Sequence, residues 1–280
     1  METRIAPNAP AQKRQKQENQ GWRSTVRFVL LVFLLALFIR SCVVAPFSIP
    51  SGSMLPRLLV GDYLFVSKWS YGYSRYSFPF GILGFHGRLL GSVPERGDVV
   101  VFRYPGPRRD DLVKRVIGLP GDTIELRHGV VILNGRALPR RRIADFPMRV
   151  TPNSPCRGAP GAVRQARGDD GAMLCLFPRF RETLPGGRSY DVLDQVVNGE
   201  GDSFGPVTVP EDHVFVMGDN RDDSLDSRFP TAIGGVGLLP IDNLIGRVLI
   251  TFWSTDGSAA WLRPWTWFSA ARWERIGRTG

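Results

Sequence analysis

Histidine and cysteine are scarce in this chain, with three of each among 280 residues. His86, His128 and His213 stand far apart, and none has a neighbourhood that suggests a Ser-His-Asp triad. The Gly-x-Ser-x-Gly nucleophile elbow is missing. No Cys-x-x-Cys pair occurs, which removes the usual zinc frameworks. There is no P-loop and no dinucleotide fingerprint. No long amphipathic helical period appears after about residue 50.

What is present is basic and moderately apolar. Lysine and arginine number 36 against 26 acidic residues, for a formal charge of +10, and 43% of residues are hydrophobic. The arginines are scattered, and Arg140-Arg141-Arg142 is the one tight cluster. That spread argues against nucleic acid and fits a surface facing anionic lipid. The length suits one or two domains plus an anchor.

Residues 1–27 read as a disordered basic tail, with six basic residues against two acidic ones. Phe28–Ile39 is an unbroken apolar run, too short alone to span a bilayer. Extended to Phe47 it gives twenty residues, about 30 Å of helix. The basic flank should stay cytoplasmic and the rest should cross. A cleaved export signal ending at Val43-x-Ala45 is the rival reading, and Pro46 and Arg40 argue against it. Either way the remainder is exported.

Beyond the anchor the chain reads as all-β. Short aromatic and β-branched runs at 63–67, 98–104 and 112–118 alternate with turn signals such as Asn134-Gly135. Residues 69–91 read as a long hairpin or an exposed apolar loop. Segments 48–135 and 207–280 form one antiparallel β domain. Residues 136–206, crowded with Pro, Gly and Arg, form a smaller β domain inserted into it. Strand candidates there are 172–180 and 190–197. Cys156 and Cys175 lie in this insert; export would place them where a disulfide persists. Five tryptophans at 253, 261, 265, 267 and 273 suit either a membrane interface or an aromatic mini-core.

Two stretches carry candidate chemistry. Pro50-Ser51-Gly52-Ser53-Met54-Leu55-Pro56 offers two hydroxyls that face one side if the backbone is extended. It reads equally as a polar turn leaving a helix. Lys114 sits between apolar strand residues. Buried, it would lose charge stabilisation and become a base; on an edge strand it would face water. Arg115 could not act in that way.

These stretches, with the Gly97-Asp98-Val-Val-Val-Phe strand, Lys114 to Asp122 and Gly218 to Arg228, resemble the bacterial type I signal peptidases. The resemblance runs from residue 28 to about 253. It implies a serine endopeptidase with Ser53 as nucleophile and Lys114 as general base, working through an acyl-enzyme. Ser51 and the Ser53 N–H would form the oxyanion hole. Ser224 would hold the lysine, and Asp226 and Arg228 would support the site. It implies no cofactor and no metal. The partners implied are exported preproteins with small residues at −3 and −1, membrane lipid and a place near the secretion translocon. The location implied is the bacterial inner membrane, crossed once, with the catalytic domain periplasmic. A specialised maturation peptidase and a noncatalytic envelope-binding module are the competing readings. Arg57, Asp223 and the Gly-rich 229–240 segment depart from the common pattern of the family.

Overall fold

The computed structural model describes residues 10–78, 87–260 and 262–279. Helix α1 runs from Pro10 to Phe38 and continues as one wider turn, Ile39–Val43. Residues Trp22–Val43 have a mean hydropathy of 2.4 and are almost wholly unburied, so this helix is long and apolar enough to cross a membrane. The apolar span therefore lies earlier than the expected 28–47. Pro46 has no N–H to continue a helix, and the chain leaves Val43 directly into strand β1, Val44–Ser48. An edge strand tolerates that proline. Residues 1–9 of the tail expected to be disordered lie outside the described residues. From Pro10 the Gln-, Lys- and Glu-rich stretch is helical, as good helix formers are when a long apolar helix nucleates them.

The rest is antiparallel β, in three sheets. The remaining strands are β2 (Asp62–Ser67), β3 (Val99–Arg103), β4 (Asp111–Gly118), β5 (Thr123–Arg127), β6 (Val130–Leu133) and β7 (Arg136–Ala137). They continue as β8 (Arg140–Arg149), β9 (Arg164–Arg167), β10 (Met173–Thr183), β11 (Ser189–Leu193) and β12 (Phe204–Thr208). The last are β13 (His213–Met217), β14 (Leu239–Pro240) and β15 (Leu244–Ser254). A seven-stranded sheet has the order β1-β2-β15-β3-β4-β13-β14. A second sheet has the order β12-β5-β6-β7; the third is β11-β10-β8, with β9 pairing on β10. Tight turns at His128-Gly129 and Asn134-Gly135, all four residues with positive φ, join β5 to β6 and β6 to β7.

In the 136–206 region, β10 and β11 fall on the expected strands, whereas β8 and β9 were not legible. Arginine-rich runs lack a strand signature. Here the guanidinium groups of Arg140 and Arg142 lie over the ring of Phe180, 4.1 and 5.4 Å from its centre. Cys156 and Cys175 are joined by a disulfide, with Cα atoms 5.4 Å apart, over a core of Met148, Phe177 and Leu193.

The late tryptophans divide between ring packing and exposure. Trp253 meets Trp273 edge-on, while Trp265 and Trp267 are exposed on or beside helix α2 (Trp265–Ser269). Trp261 lies outside the described residues. So do residues 79–86 of the 69–91 stretch, whose described part is two short 3-10 turns and a bridge from Tyr73 to Leu89.

Candidate active site

β4 is an interior strand, paired by β3 on one side and β13 on the other. From Lys114 to Gly118 all of its residues are buried. Lys114 is 4% exposed. That burial holds its ammonium down to a pKa of about 8; the Asp226 charge pulls it back up and Arg228 pushes it further down. Lys114 Nζ lies 2.7 Å from Ser53 Oγ. Two groups 61 residues apart are thus in direct contact.

The loop from β1 to β2 places Ser53. Met54 and Leu58 sink into the core beneath it, beside Ile49, Val66 and Val99. Leu55 N–H donates to Gly52 O at 3.0 Å, and Leu58 N–H to Met54 O at 2.9 Å. Asn220 takes the two carbonyls of the motif. Its N–H donates to Ser53 O at 3.0 Å, and its side-chain amide to Gly52 O at 3.2 Å. Gln195 holds that amide through Asn220 Oδ1 at 3.0 Å. Among the described residues, the Ser53 N–H and the exposed Ser51 hydroxyl have no internal partner. Free donors beside a serine hydroxyl that touches a buried lysine are able to receive a developing oxyanion.

Ser224, Asp226 and Arg228 come together behind this pair, all three buried. Arg228 grips Asp226 with Nε at 2.9 Å and Nη2 at 3.0 Å. Ser224 Oγ donates to Asp226 Oδ2 at 2.8 Å, and Gly218 N–H donates to the same oxygen at 2.9 Å. The resemblance implies that Ser224 holds the lysine directly. Here its hydroxyl is engaged by Asp226, whose charge in turn acts on Lys114. A Cβ at Gly218 would collide with Ser224 and with the Ser53 carbonyl, so only glycine fits between them.

Sequence reasoning missed Asn220 and the Arg115–Asp219 pair. Arg115 meets Asp219 with two parallel bonds, 2.8 and 2.6 Å, and its guanidinium lies 4.6 Å above the Tyr190 ring. Their signal was present: the 218–228 run has more polar residues than a turn needs. Of the departures noted above, Asp223 is exposed and its carboxylate stands 3.6 Å from the position a Cβ on Gly52 would take. The 229–240 segment tucks Phe229 and Val236 into the fold.

The described histidines are elsewhere engaged. His128 contacts Asn198 at 2.7 Å in its turn, and His213 contacts Asp212 at 2.5 Å. His86 lies outside the described residues. A second buried lysine, Lys68, is also held down to about 8 by burial, but its Nζ donates to the Ser77 carbonyl and not to a side-chain hydroxyl. Asp194, Asp202 and Asp222 form one group of metal-ligand type among the described residues. Arg140 answers Asp194, and the N–H groups of Gly199, Gln195 and Val196 answer the other two. Burial and the neighbouring carboxylates hold the Asp202 and Asp222 carboxyls above the usual carboxylate range. A cleft of about 580 Å³ opens beside Ser51 and Gly52, walled by Leu55, Met148, Phe177 and Asn220.

Comparison with known proteins places the same residues in context. The family described as "Signal peptidase, peptidase S26" matches residues 22–253. Signal peptidase I of Rickettsia typhi is 35% identical over 253 residues, 84% of this chain and 85% of that one. Signal peptidase I of Rickettsia akari is 34% identical over 248 residues, covering 86% and 81%. A solved signal peptidase I from Enterococcus faecalis is 22% identical, covers 55% of this chain and 95% of its own, and has a TM-score of 0.28.

Proposed function

The chain belongs to the signal peptidase family, peptidase S26, and on that premise we propose a membrane-anchored serine endopeptidase that frees exported preproteins from their signal peptides through a Ser53–Lys114 dyad. The observation that carries the dyad is the 2.7 Å contact between Lys114 Nζ and Ser53 Oγ at a buried position.

Neutral Lys114 accepts the Ser53 proton as Oγ bonds to the scissile carbonyl carbon. The carbonyl π pair moves to oxygen, facing the Ser53 N–H and the Ser51 hydroxyl. Protonated Lys114 then hands its proton to the departing amine of the mature protein. Water attacks the resulting ester and gives a proton to Lys114, which passes it to Ser53 Oγ as the acyl–oxygen bond breaks and the free signal peptide leaves. Small residues at −3 and −1 are the proposed cleavage rule. Residues 136–206 act as a smaller inserted lobe.

Catalysis should rise with pH. The base is the neutral lysine, so kcat/KM should increase about tenfold per pH unit well below 8 and level off above it. Ser51→Ala removes one oxyanion donor and should cost about 10²–10³ in kcat with the pH profile unmoved. The assay is cleavage of a preprotein with Ala at −3 and −1 by the full chain in neutral detergent. A flat profile from about pH 6 to 9 would remove the lysine from its role.

The same proposal puts the N-terminus in the cytoplasm and the catalytic part outside. The positive flank before the span argues for it. So does the Cys156–Cys175 bond, which an oxidising compartment preserves. Exposed Trp69, Leu89, Leu90 and Val93 offer lipid contact near the end of the span, where the Tyr73 hydroxyl donates to Cys42 O. The secretion translocon would be close at hand for the same substrates. Protease added outside intact spheroplasts should digest the β part and spare the N-terminal tail; digestion only after lysis would reverse the orientation.

A further inference from the structure

Arg57 follows the Ser53 stretch directly, and the proposed reaction does not use it. It borders a cleft of about 800 Å³ that neither Ser53 nor Lys114 lines. Seven arginines and only two aspartates, Asp98 and Asp191, face this cleft. The aspartates are already heavily engaged. Asp191 receives Arg181 at 2.7 Å and Arg179 at 3.4 Å. Asp98 receives the Tyr71 hydroxyl at 2.8 Å, Arg188 at 3.2 Å and Arg247 at 3.7 Å. Arg115 is matched from below by Asp219.

Arg57 and Arg278 have no carboxylate partner among the described residues. Arg57 donates to the Thr279 carbonyl and, at 3.5 Å, to its hydroxyl; Arg278 donates to Glu274 O at 3.1 Å. Carbonyl dipoles orient these guanidiniums without neutralising them. Partial burial and the nearby charge of Arg115, with smaller pushes from Arg275 and Arg278, outweigh the opposing pull of Asp219 and hold Arg57 below the usual arginine range. Crowded cations of this kind attract an anion.

The cleft also sits at a definite height in the sheet. Arg247 on β15 is in register with Ser67 on β2, and Ser67 is in register with Val44, the first residue after the apolar span. Two strand spacings, about 10 Å, separate Arg247 from the strand that leaves the membrane helix.

We propose that this cleft is a binding site for a phosphate group, gripped by Arg57, Arg278, Arg247 and Arg188 of its lining. Guanidinium forks match phosphate oxygens two at a time. The volume admits a phospholipid headgroup or a small free phosphate compound. The site is separate from the Ser53–Lys114 pair and does not depend on the reaction assigned to it.

The test uses the full chain in neutral-detergent micelles, titrated calorimetrically in two arms. One arm adds inorganic pyrophosphate. The other adds short-chain phosphatidylglycerol, with a phosphate-free glycolipid as its control. At least one phosphate ligand should bind saturably, one per chain, and weaken with added salt. The arm that binds identifies the source, headgroup or free phosphate. R57Q/R278Q should weaken binding at least about tenfold, since each charge-assisted pair is worth that much. R136Q/R141Q, the same charge change on exposed residues of β7 and β8, should weaken it less than about twofold. Cleavage in micelles without either ligand should be unchanged in both double variants. R247Q, at a lining residue on β15, should also weaken binding, which keeps the test intact if R57Q/R278Q fails to fold. Equal losses in the two double variants would mean that net charge alone attracts the anion, and the site would be discarded. Absence of saturable binding in both arms would discard it too.

Discussion

Ser53→Ala should abolish preprotein cleavage, with a fall on the order of 10⁴–10⁶ in kcat, the scale seen when a nucleophile is deleted from a serine peptidase. Ser53 contributes little to the core, so the melting temperature should barely move. Lys114→Arg should be as inactive as Ser53→Ala. Arginine keeps the charge and stays protonated at any working pH, so it has no lone pair to accept the Ser53 proton. Lys114→Met should also be inactive but at least as stable, because a thioether suits the buried site better than an ammonium does. The measurement is single-turnover cleavage of a preprotein with Ala at −3 and −1, alongside thermal unfolding of each variant. Replacing His86, His128 and His213 by alanine should leave turnover intact. A folded Lys114→Arg variant that still cleaves, or a histidine variant that is folded and dead, would overturn the dyad.

The lowered pKa of Lys114 is not what singles it out. Lys68 is buried and lowered to about the same value. What separates them is the neighbour: a serine hydroxyl for Lys114, a backbone carbonyl for Lys68. The sequence held a clue that went unread. Only four of its 36 basic residues are lysines, and Lys68 and Lys114 are the only ones beyond residue 16. A chain that uses arginine almost everywhere keeps lysine where a proton must leave or where a compact head must fit.

Other features were legible to different degrees. The β character and the position of β4 follow from the short apolar, β-branched pairs that flank Lys114 and Arg115, Leu112-Val113 and Val116-Ile117. The end of the span was misplaced because apolar residues 44–47 suit a membrane and a sheet edge equally well. Only their pairing with β2, Val44 to Ser67 through Phe47 to Leu64, decides between them. β8 was invisible because its signal is tertiary: the Arg140 and Arg142 guanidiniums stack on Phe180 of another strand. Asn220 was inside a recognised motif, yet its task of fixing the Gly52 and Ser53 carbonyls appears only once the loops are brought together.

Asp226→Asn should cost about 3–5 kcal/mol of stability, the range for removing one partner of a buried ion pair. Asp226 is wholly buried and Arg228 is 5% exposed, so the orphaned guanidinium could not turn to water. Burial by itself raises the Asp226 carboxyl pKa. The Arg228 charge and hydrogen bonds, the Gly218 N–H and Lys114 outweigh it and hold the group below the usual carboxylate range. Asparagine keeps the shape but loses that charge. The double variant Asp226→Leu with Arg228→Met replaces both members by apolar groups and should recover most of the lost stability. It should not recover activity in step, because Ser224 then has no carboxylate to engage. The pH profile gives an independent readout on Asp226→Asn. Asp226 raises the pKa of Lys114, so its removal should lower that pKa and move the rising limb of kcat/KM to below about 8. Thermal unfolding and pH-rate profiles of the single and double variants settle the question together. A limb that stays in place while stability falls would confine the Ser224–Asp226–Arg228 group to a structural role, with no hold on the charge of the lysine.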